Sequence, residues 1–569
     1  MPTVVPPVTR TKDPRVRRPA LLVGAGVLVL VLVVVLAVVL TRDDGAPDDG
    51  TAPAPSPSVS TPPAESLTTV LSSGFDEGDE GWAPLGEGVG VQDVQDVTHA
   101  GAGSLLVTGR SEPWHGAAVD LSGSVARGQV HTVSAWVRLG LGDAASADDV
   151  EDAEVALTLE RRVEGEGEGE PLYVHVGAAT AGAGGWTQVT GTAEVPDGDG
   201  AWRLYVESTS PTADLRVDEV TVQRPAPPVQ QDVPALSDVA AFPVGVAVGP
   251  QDLGGRPADL LLRHFDQVTA ENAMKPVVIQ PVEGEFDFGP MDEVVDVAAE
   301  HGRTVHGHTL VWHRSTPDWF FEAPDGSPLT DSPQDQALLL ERLRAHTQTV
   351  RDHLAERYGD ANPVRSWDVV NEPLDPEEAD GLRRSRWYEV LGPTYVAQAF
   401  QVAREVLGPD VVLYVNDYDT DAPDRRRALV RLLLDLQAQG APVDAVGHQM
   451  HASLRTDVDR VATTLDAVAG LGLRQAVTEL DVAVSASDER LAAAPTDRLA
   501  QQGDQVRALV QVFAARDLEF VGVWGLYDTR SWLRHWPEDR PFEAPLLFDD
   551  DLQAKPAFWG FVEAAQGAG

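Results

Sequence analysis

The sequence predicts an α/β TIM (β/α)8 barrel with an N-terminal all-β sandwich (jelly-roll) domain and a single N-terminal transmembrane helix. Three observations predict this organisation. Eight apolar, β-branched-rich runs alternate with amphipathic segments in residues 241–566, which is typical of a barrel of parallel strands. Short alternating runs between Gly-rich turns fill residues 69–223, which indicates a β-sandwich. Residues 20–40 contain no charged side chain.

The composition excludes several classes of function. The chain is strongly acidic, with 89 Asp and Glu against 43 Lys and Arg and a formal net charge of −46. Such a chain is repelled by phosphate backbones, so nucleic acid is a poor partner, and a neutral polysaccharide or a cation fits better. With no cysteine, the chain cannot form disulfides, thiolate metal sites, iron–sulfur clusters or a cysteine nucleophile.

The N-terminal segment predicts export. Residues 1–19 are expected to form a basic cytoplasmic tail, and residues 20–40 a signal anchor that as a helix, at about 1.5 Å per residue, is long enough to cross a membrane. Basic residues precede this segment and acidic residues dominate behind it, so everything downstream lies outside the cell, anchored to its membrane. A cleaved signal peptide and a secreted protein are the alternative. Residues 41–68, rich in Pro, Ser and Thr, form a linker.

The sandwich is expected at residues 69–223, followed by a second linker at residues 224–240. Its predicted strands are Ser104–Thr108, Thr132–Arg138, Val155–Leu159, Thr187–Glu194, Arg203–Glu207 and Leu215–Val222. The acidic run EGEGEGE at residues 164–170 is most simply a solvated loop, because its alternation lacks the ligand pattern of a calcium site.

Four residues of the sandwich are candidates for sugar binding: Arg110, Trp114, Tyr173 and Glu207. Aromatic faces stack on sugar rings, whereas Arg and Glu bond sugar hydroxyls. The alternative is that the aromatic residues belong to the core.

The motifs FDEGDEGW, VTGRSEPWHG, VSAWVRL, LYVES and VDEVTV resemble carbohydrate-binding module family 22 over most of residues 70–223. The resemblance implies that these four residues line a xylan cleft and that the sandwich can hold a structural calcium.

The barrel strands are predicted as eight runs. They are Phe242–Val248, Val268–Lys275, Thr304–Trp312, Val364–Glu372, Val411–Tyr418, Ala445–His451, Gln475–Val482 and Phe520–Asp528. Every run except the first ends in a polar cluster; in order these are ENAMK, HGHTLVWH, WDVVNE, VNDY, GHQMH, TELD and WGLYD. Because the carboxyl ends of barrel strands surround one mouth, these clusters are expected to converge there.

Glu372 and Glu479 end the fourth and seventh runs and are expected to face each other across the mouth. Glycoside cleavage requires such a pair, one carboxyl protonated to release the leaving oxygen and one ionised to attack or to activate water. Asn371 could bond the sugar hydroxyl beside the reacting carbon. A glutamate that caps a helix after each strand is the structural alternative.

The histidines allow a metal-dependent hydrolase as a competing interpretation. His306 and His308 share one strand face, His448 and His451 end another strand, and Asp528 follows the eighth run. His308 and His451 make better sense as donors to sugar hydroxyls and to the nucleophile, so no metal and no cofactor is expected in the catalytic site.

The clusters ENAMK, GHTLVWH, WDVVNE, LYVNDY, GHQMH and VTELD, with the WGxxDxxSW pattern, resemble glycoside hydrolase family 10 over about residues 240–562. The resemblance implies a retaining endo-β-1,4-xylanase with Glu372 as acid/base and Glu479 as nucleophile. It also implies a set of sugar-binding residues: Glu271, Asn272, Lys275, His308, Trp312, Asn371, Tyr418, Gln449, His451, Trp524 and Trp532.

The sequence departs from the pattern of that family at Arg314, Asp419 and Tyr527, which puts sugar preferences in doubt but not the reaction. A related barrel glycosidase acting on cellulose or mannan is the nearest rival. A non-catalytic surface lectin with a degenerate barrel is a rival from another class, although both glutamates and their neighbours are present.

Overall fold

The computed structural model describes residues 67–76, 78–121, 125, 128–140, 146–162, 171–196, 200–485, 494–538, 540 and 542–567. The predicted anchor at residues 20–40, most of the first linker and the acidic run at residues 164–170 lie outside these residues. Within the described part of the chain, no helix combines the length and the apolar composition needed to span a bilayer.

The N-terminal part consists of two antiparallel sheets. In chain order its strands are β1 (Leu67–Ser73), β2 (Ala83–Leu85), β3 (Gly90–Val94), β4 (Ser104–Thr108), β5 (Gly116–Asp120), β6 (Val130–Leu139), β7 (Ala153–Arg162), β8 (Leu172–Ala181), β9 (Thr187–Glu194), β10 (Ala201–Ser208) and β11 (Leu215–Pro225). One sheet has the order β3-β4-β11-β6-β9, with β1 also paired to β11, and the other has the order β2-β5-β10-β7-β8.

Alternating side chains hold the two sheets together. Along β6, buried and less buried residues alternate from end to end, as expected when one face of a strand packs on a core. The inward side chains of both sheets join one apolar cluster that includes Val137, Leu157, Trp202 and Leu204. The all-β prediction is therefore confirmed. The sequence pattern missed β1, β2, β3, β5 and β8. Of these, β2 has three residues, and β5 and β8 are rich in Ala and Gly, which have weak strand propensity.

The C-terminal part is a closed barrel of eight parallel strands. They are β12 (Val244–Val248), β13 (Gln267–Ala270), β14 (Thr304–Trp312), β15 (Val364–Asn371), β16 (Val412–Asp417), β17 (Ala445–His448), β19 (Arg474–Ala483) and β20 (Val521–Val523). Pairing of β12 with both β13 and β20 closes the ring, and the additional strand β18 (His451–Ser453) pairs with β19. Each of the eight predicted runs overlaps a barrel strand. Several strands are shorter than their runs because the polar ends lie in loops, whereas β19 extends one residue beyond its run at each end.

Helices surround this barrel. They are α1 (Leu236–Val239), α2 (Gly255–His264), α3 (Pro276–Ile279), α4 (Gly289–Glu300), α5 (Pro333–Tyr358), α6 (Arg386–Leu391), α7 (Tyr395–Leu407), α8 (Pro423–Ala438), α9 (Val458–Ala469), α10 (Thr496–Ala514) and α11 (Pro556–Gln566). Their apolar faces and the barrel strands form one core.

The segment predicted as the second linker packs on the barrel. Val229 and Val233 are buried in the barrel core. Asp551 of the barrel accepts a 2.9 Å hydrogen bond from Thr68 Oγ1 in β1 and pairs with Arg224 in β11. The sandwich and the barrel therefore contact each other directly at this residue.

Candidate active site

The polar ends of the barrel strands surround a cleft of about 440 Å³. Glu372 and Glu479 both line it. The other sequence-predicted residues in its wall are Glu271, Lys275, His308, Trp312, Asn371, Tyr418, Gln449, His451, Trp524 and Trp532. Asn272 lines an adjoining recess of about 250 Å³, where its Oδ1 accepts a 2.8 Å hydrogen bond from Lys275 Nζ. The structure thus brings together the side chains that the strand-end pattern grouped.

Glu479 lies in β19 and is buried, with a bonded partner at each carboxylate oxygen. Asn416 Nδ2 donates to Oε1 at 2.8 Å, and His451 Nε2 lies 3.2 Å from Oε2. These two contacts fix the direction in which the carboxylate points.

His451 carries positive charge beside Glu479. Its Nδ1 lies 2.8 Å from Asp481 Oδ2, and the same oxygen accepts a 2.9 Å hydrogen bond from Trp532 Nε1. Burial alone would lower the pKa of His451, but the neighbouring charges of Asp481 and Glu479 overcome it and raise that pKa to about 10. The ring is therefore an imidazolium at neutral pH and donates from both nitrogens.

Glu372 follows β15 in a left-handed backbone conformation, with φ of +56°. A non-glycine residue is rarely found there, and such strain concentrates at functional sites. Backbone bonds hold the conformation: the Glu372 amide donates to the carbonyl of Asn416 at 2.8 Å, and Arg383 Nε donates to the Glu372 carbonyl at 3.0 Å.

The two side chains that directly contact the Glu372 carboxylate are uncharged. Gln449 Nε2 lies 3.4 Å from Oε1, and His313 Nδ1 lies 3.7 Å from Oε2. Burial, together with the charge of Arg383, lowers the pKa of His313 to about 4, so this ring is uncharged at neutral pH. The two glutamates consequently differ in the charge of the histidine that each one meets.

Asn416, the Asn of the VNDY cluster, connects the two halves of the site. Its Nδ2 lies 3.0 Å from Asn371 Oδ1 as well as 2.8 Å from Glu479 Oε1, and its Oδ1 accepts a 2.8 Å bond from Thr478 Oγ1. Asn371 Oδ1 also accepts a 3.2 Å hydrogen bond from Gln449 Nε2. Sequence reasoning did not single out Asn416, although it sits in a quoted motif, because its role depends on reaching across from β16 to β19.

Within the described part of the chain, His308, Asp368 and Glu479 form a group whose ligand atoms lie within 4.8 Å of one another, as a metal site needs. Their atoms already bond each other and their neighbours: His308 Nδ1 lies 2.9 Å from Asp368 Oδ2, and His306 Nε2 lies 3.1 Å from Asp368 Oδ1. Burial would raise the pKa of Asp368, but the two histidines lower it to about 2.

The other residues of the metal interpretation are engaged elsewhere. His448 Nδ1 contacts Thr420 Oγ1 at 2.8 Å, and Asp528 pairs with Lys555. These residues thus fit a hydrogen-bonded histidine network better than a ligand set.

Aromatic and cationic side chains form the walls of the cleft. Lys275 Nζ lies 5.0 Å from the centroid of the Trp312 ring. Burial lowers the pKa of Lys275, and the charges of Glu271, Glu479 and Glu372 act in the opposite direction.

Tyr418 stands at the rim of the cleft. Its hydroxyl accepts a 2.8 Å bond from Arg383 Nη2, and the guanidinium of Arg425 lies 3.8 Å from its ring centroid. The arrangement suits a hydroxyl-rich, flat-faced ligand.

Five further residues line the cleft that sequence reasoning did not place there. They are His313, Arg314, Arg383, Asp419 and Trp536. His313 and Arg314 follow the third strand directly, so their position beside a quoted motif was the available signal. Arg383 and Trp536 lie in loops without a periodic pattern, and only the folded chain brings them to the cleft.

The candidate residues of the sandwich separate into two groups. Trp114 and Tyr173 are 49% and 58% exposed and line a recess of about 260 Å³ with Leu85, Glu160, Arg162, Arg203 and Tyr205. Glu207 is not among the residues lining that recess, and its Oε1 accepts a 2.8 Å hydrogen bond from Thr158 Oγ1.

Arg110 is buried beneath the loop that carries Trp114. Its guanidinium donates to the carbonyls of His115 and Ala213 at 2.7 Å, of Ser208 at 3.1 Å and of Pro113 at 3.2 Å. Burial lowers its pKa to about 10, which still leaves it charged at neutral pH. The structure therefore uses Arg110 to fix the loop.

Comparison with known proteins places these sites in a family. Residues 68–214 match the family model described as "Carbohydrate binding domain". The chain is 35% identical over 517 residues to endo-1,4-beta-xylanase A of Thermoanaerobacterium saccharolyticum, covering 89% of this chain and 42% of that protein. It is 37% identical over 350 residues to the thermostable celloxylanase of Thermoclostridium stercorarium, covering 59% of this chain and 89% of that one.

The barrel also resembles solved structures. Xylanase B from Clostridium stercorarium F9 superposes with a TM-score of 0.55 at 38% identity, over 58% of this chain and all of that one. This chain spans about half the length of several of the relatives it matches. Residues 235–564 match the family model "Glycosyl hydrolase family 10", and with both glutamates in its cleft the chain belongs to that family.

Proposed function

We propose that the chain is an endo-1,4-β-xylanase that cleaves xylan with retention, using Glu479 as nucleophile and Glu372 as general acid and base. The observation that carries this assignment is the contrast between the two glutamates of the cleft. A histidine with a pKa of about 10 contacts Glu479, whereas the histidine beside Glu372 has a pKa of about 4. A cation in contact stabilises the negative charge that a nucleophile needs, so this contrast assigns the nucleophile to Glu479 and the acid and base role to Glu372.

The reaction then proceeds in two displacements. Glu479 attacks the anomeric carbon while Glu372 gives its proton to the departing glycosidic oxygen, and a glycosyl–Glu479 ester forms. Glu372, now ionised, takes a proton from water, whose oxygen displaces Glu479 from the sugar. This mechanism requires the two carboxyl groups to lie about 5–5.5 Å apart.

Both glutamates can be tested by neutral substitution. We expect Glu372→Gln and Glu479→Gln each to lower kcat on xylan by a factor of at least about 10³, since each removes one of the two groups that the displacement needs. Far-UV circular dichroism should show an unchanged fold. Glu405→Gln is the matched control, because Glu405 is exposed and pairs with Arg344 away from the cleft. Normal turnover in either cleft variant would contradict the assignment.

The substrate class is tested by side-by-side assays. We propose xylan as the substrate, supported by the family and by the xylanase names of several relatives, while the celloxylanase relative makes cellulose the second candidate. Release of reducing sugar from xylan, cellulose and mannan under one condition should be fastest from xylan. Faster release from cellulose or mannan would reassign the substrate but not the mechanism.

We further propose that the sandwich is a family 22-type module with jelly-roll connectivity that binds the same polysaccharide. Support comes from the matched carbohydrate-binding model and from two exposed aromatic faces, Trp114 and Tyr173, at one recess. In the full chain carrying Glu372→Gln, Trp114→Ala should weaken binding to insoluble xylan. If the Glu372→Gln chain is retained equally on xylan with and without Trp114→Ala, Trp114 does not take part in binding.

Finally, we propose that residues 20–40 anchor the enzyme at the cell membrane with both domains outside. The absence of charge in this segment and the basic residues before it support the proposal. Fractionation of the full chain should place it with membranes and leave it open to external protease; recovery in the cytosol would contradict it.

A further inference from the structure

Arg314 forms no ion pair with any described residue of a chain rich in carboxylates. Its side chain is exposed and lines the cleft. Among the described residues, its guanidinium makes no hydrogen bond or ion pair, and it lies over the ring of Trp536, 5.5 Å from the centroid. The chain carries a formal net charge of −46, so an unpaired arginine is not explained by a shortage of carboxylates.

The other cationic side chains of the cleft, by contrast, already bond to neighbouring groups. Lys275 bonds Asn272, and the charges of three glutamates face it. Arg383 donates to the carbonyls of Glu372 and Leu374 and to the Tyr418 hydroxyl. His451 sits between two carboxylates. Of these four side chains, Arg314 is the one whose N–H donors are not used by a described residue.

The position of Arg314 leaves its guanidinium accessible to a ligand in the cleft. Arg314 is the second residue of the loop after β14, and Trp536 belongs to the loop after β20, so the contact joins two loops of the barrel mouth. An aromatic face in contact with a guanidinium restricts its orientation and leaves its edge open for hydrogen bonds. Arg314 directly follows His313, which lies 3.7 Å from Glu372, so a group bound there would sit close to the bond being cleaved.

A neutral polysaccharide carries no negative charge that could pair with this guanidinium. The guanidinium fork matches a carboxylate, with two parallel N–H···O bonds. We propose that Arg314, supported by Trp536, forms a subsite for a carboxylate-bearing substituent, a uronic acid branch, on the polysaccharide. The proposal rests on the proposed function, since it assigns a substituent of the same substrate.

The test compares one oligosaccharide in two forms: a uronic acid-substituted xylo-oligosaccharide and the same compound with its carboxyl reduced to an alcohol. The readout is the ratio of kcat/KM for the acid over the reduced form. We expect Arg314→Gln to lower this ratio by about tenfold and Arg314→Lys to lower it less, because the ammonium keeps the charge but loses the fork. Added salt should lower the ratio in the unmodified protein.

Arg386→Gln is the matched control. Arg386 is also an exposed arginine over an aromatic ring, 4.3 Å from the centroid of Phe321, but it lies outside the cleft and pairs with Asp318. It should leave the ratio unchanged. If Arg314→Gln changes kcat/KM equally for both forms, Arg314 acts on the reaction centre or on hydroxyls and the proposal is wrong.

A binding arm separates this proposal from the proposed function. In the Glu479→Gln background, calorimetry with the same two oligosaccharides should show weaker binding of the acid form after Arg314→Gln. If the unmodified enzyme cleaves neither compound but this difference in binding is found, the reaction assignment fails and the subsite stands. If the enzyme cleaves the compounds but Arg314→Gln changes neither their binding nor the kcat/KM ratio, the proposed subsite is wrong and the proposed reaction stands.

Discussion

At the scale of single residues, the site depends on charges that are unequal because of their neighbours. Asp481 and Glu479 share His451, and Trp532 donates to the same Asp481 oxygen that faces the histidine. A positively charged ring between two carboxylates is stabilised by both of them, which outweighs the cost of removing it from water. Asp481 therefore acts on Glu479 through His451 and is a positioning residue.

Asp481→Asn tests this relay. The substitution removes one of the two negative charges at His451, so we expect its pKa to fall from about 10 by at least about one unit and kcat/KM on xylan to fall by about tenfold or more. NMR titration of the His451 ring measures the first change. Asp466→Asn, an exposed residue paired with Arg516, is the control. An unmoved His451 pKa would contradict the relay.

At the scale of elements, close approach of strands places Asn416 between Glu479 and Asn371. Gly447 in β17 makes this approach possible, because a Cβ at that position would lie 2.3 Å from Asn416 Oδ1 and 2.9 Å from Thr478 Cγ2. A methyl group there must displace the asparagine, and with it the hydrogen bond to the proposed nucleophile.

We therefore expect Gly447→Ala to lower kcat on xylan at least about tenfold and to destabilise the barrel by about 1–3 kcal/mol, the usual cost of overpacking. Steady-state kinetics and thermal unfolding measure the two effects. Gly254→Ala is the control, since no heavy atom lies within 4 Å of a Cβ built at Gly254. Full activity in Gly447→Ala would show that Asn416 does not need its present position.

The same scale explains what the sequence could predict. Polar clusters at strand ends predicted which side chains would meet, because parallel strands in a barrel bring their carboxyl ends to one mouth. Arg383 escaped prediction because its role depends on a loop that folds back, with its amide donating to the Pro373 carbonyl at 2.8 Å.

Arg110 shows the limit of reasoning from residue type. An arginine near an exposed tryptophan suggests a sugar ligand, yet four backbone carbonyls converge on it in the folded sandwich. Which groups surround a side chain is decided by long-range pairing of strands, which the local pattern does not contain.

At the scale of the whole molecule, shifted pKa values and the negative net charge should make the free energy of unfolding depend on pH. Burial raises the pKa of Asp417 to about 7, so between about pH 4 and 7 the folded chain keeps a proton that the unfolded chain releases, and stability falls as pH rises. The raised pKa of His451 stabilises the fold fully below its ordinary value near 6.5, and this contribution is lost as pH rises towards 10. Repulsion within a chain of net charge −46 acts in the same direction.

We accordingly expect the midpoint of thermal unfolding to be a few degrees higher at about pH 7 than at about pH 9, a range in which histidines with a lowered pKa, such as His313, contribute little because they are uncharged. Added salt should narrow the gap by screening the repulsion. Differential scanning calorimetry at the two pH values measures both effects. A midpoint that is constant or that rises over this range would show that other groups dominate the linkage.

The stereochemistry of the first product tests the central claim most directly. Two successive displacements, at Glu479 and then by water, each invert the anomeric carbon, so the new reducing end must keep the β configuration. Proton NMR of xylo-oligosaccharide hydrolysis, followed before mutarotation, should show the β-anomer signal first and the α-anomer only later. If the α-anomer appears first, water attacks directly and Glu479 is not a nucleophile.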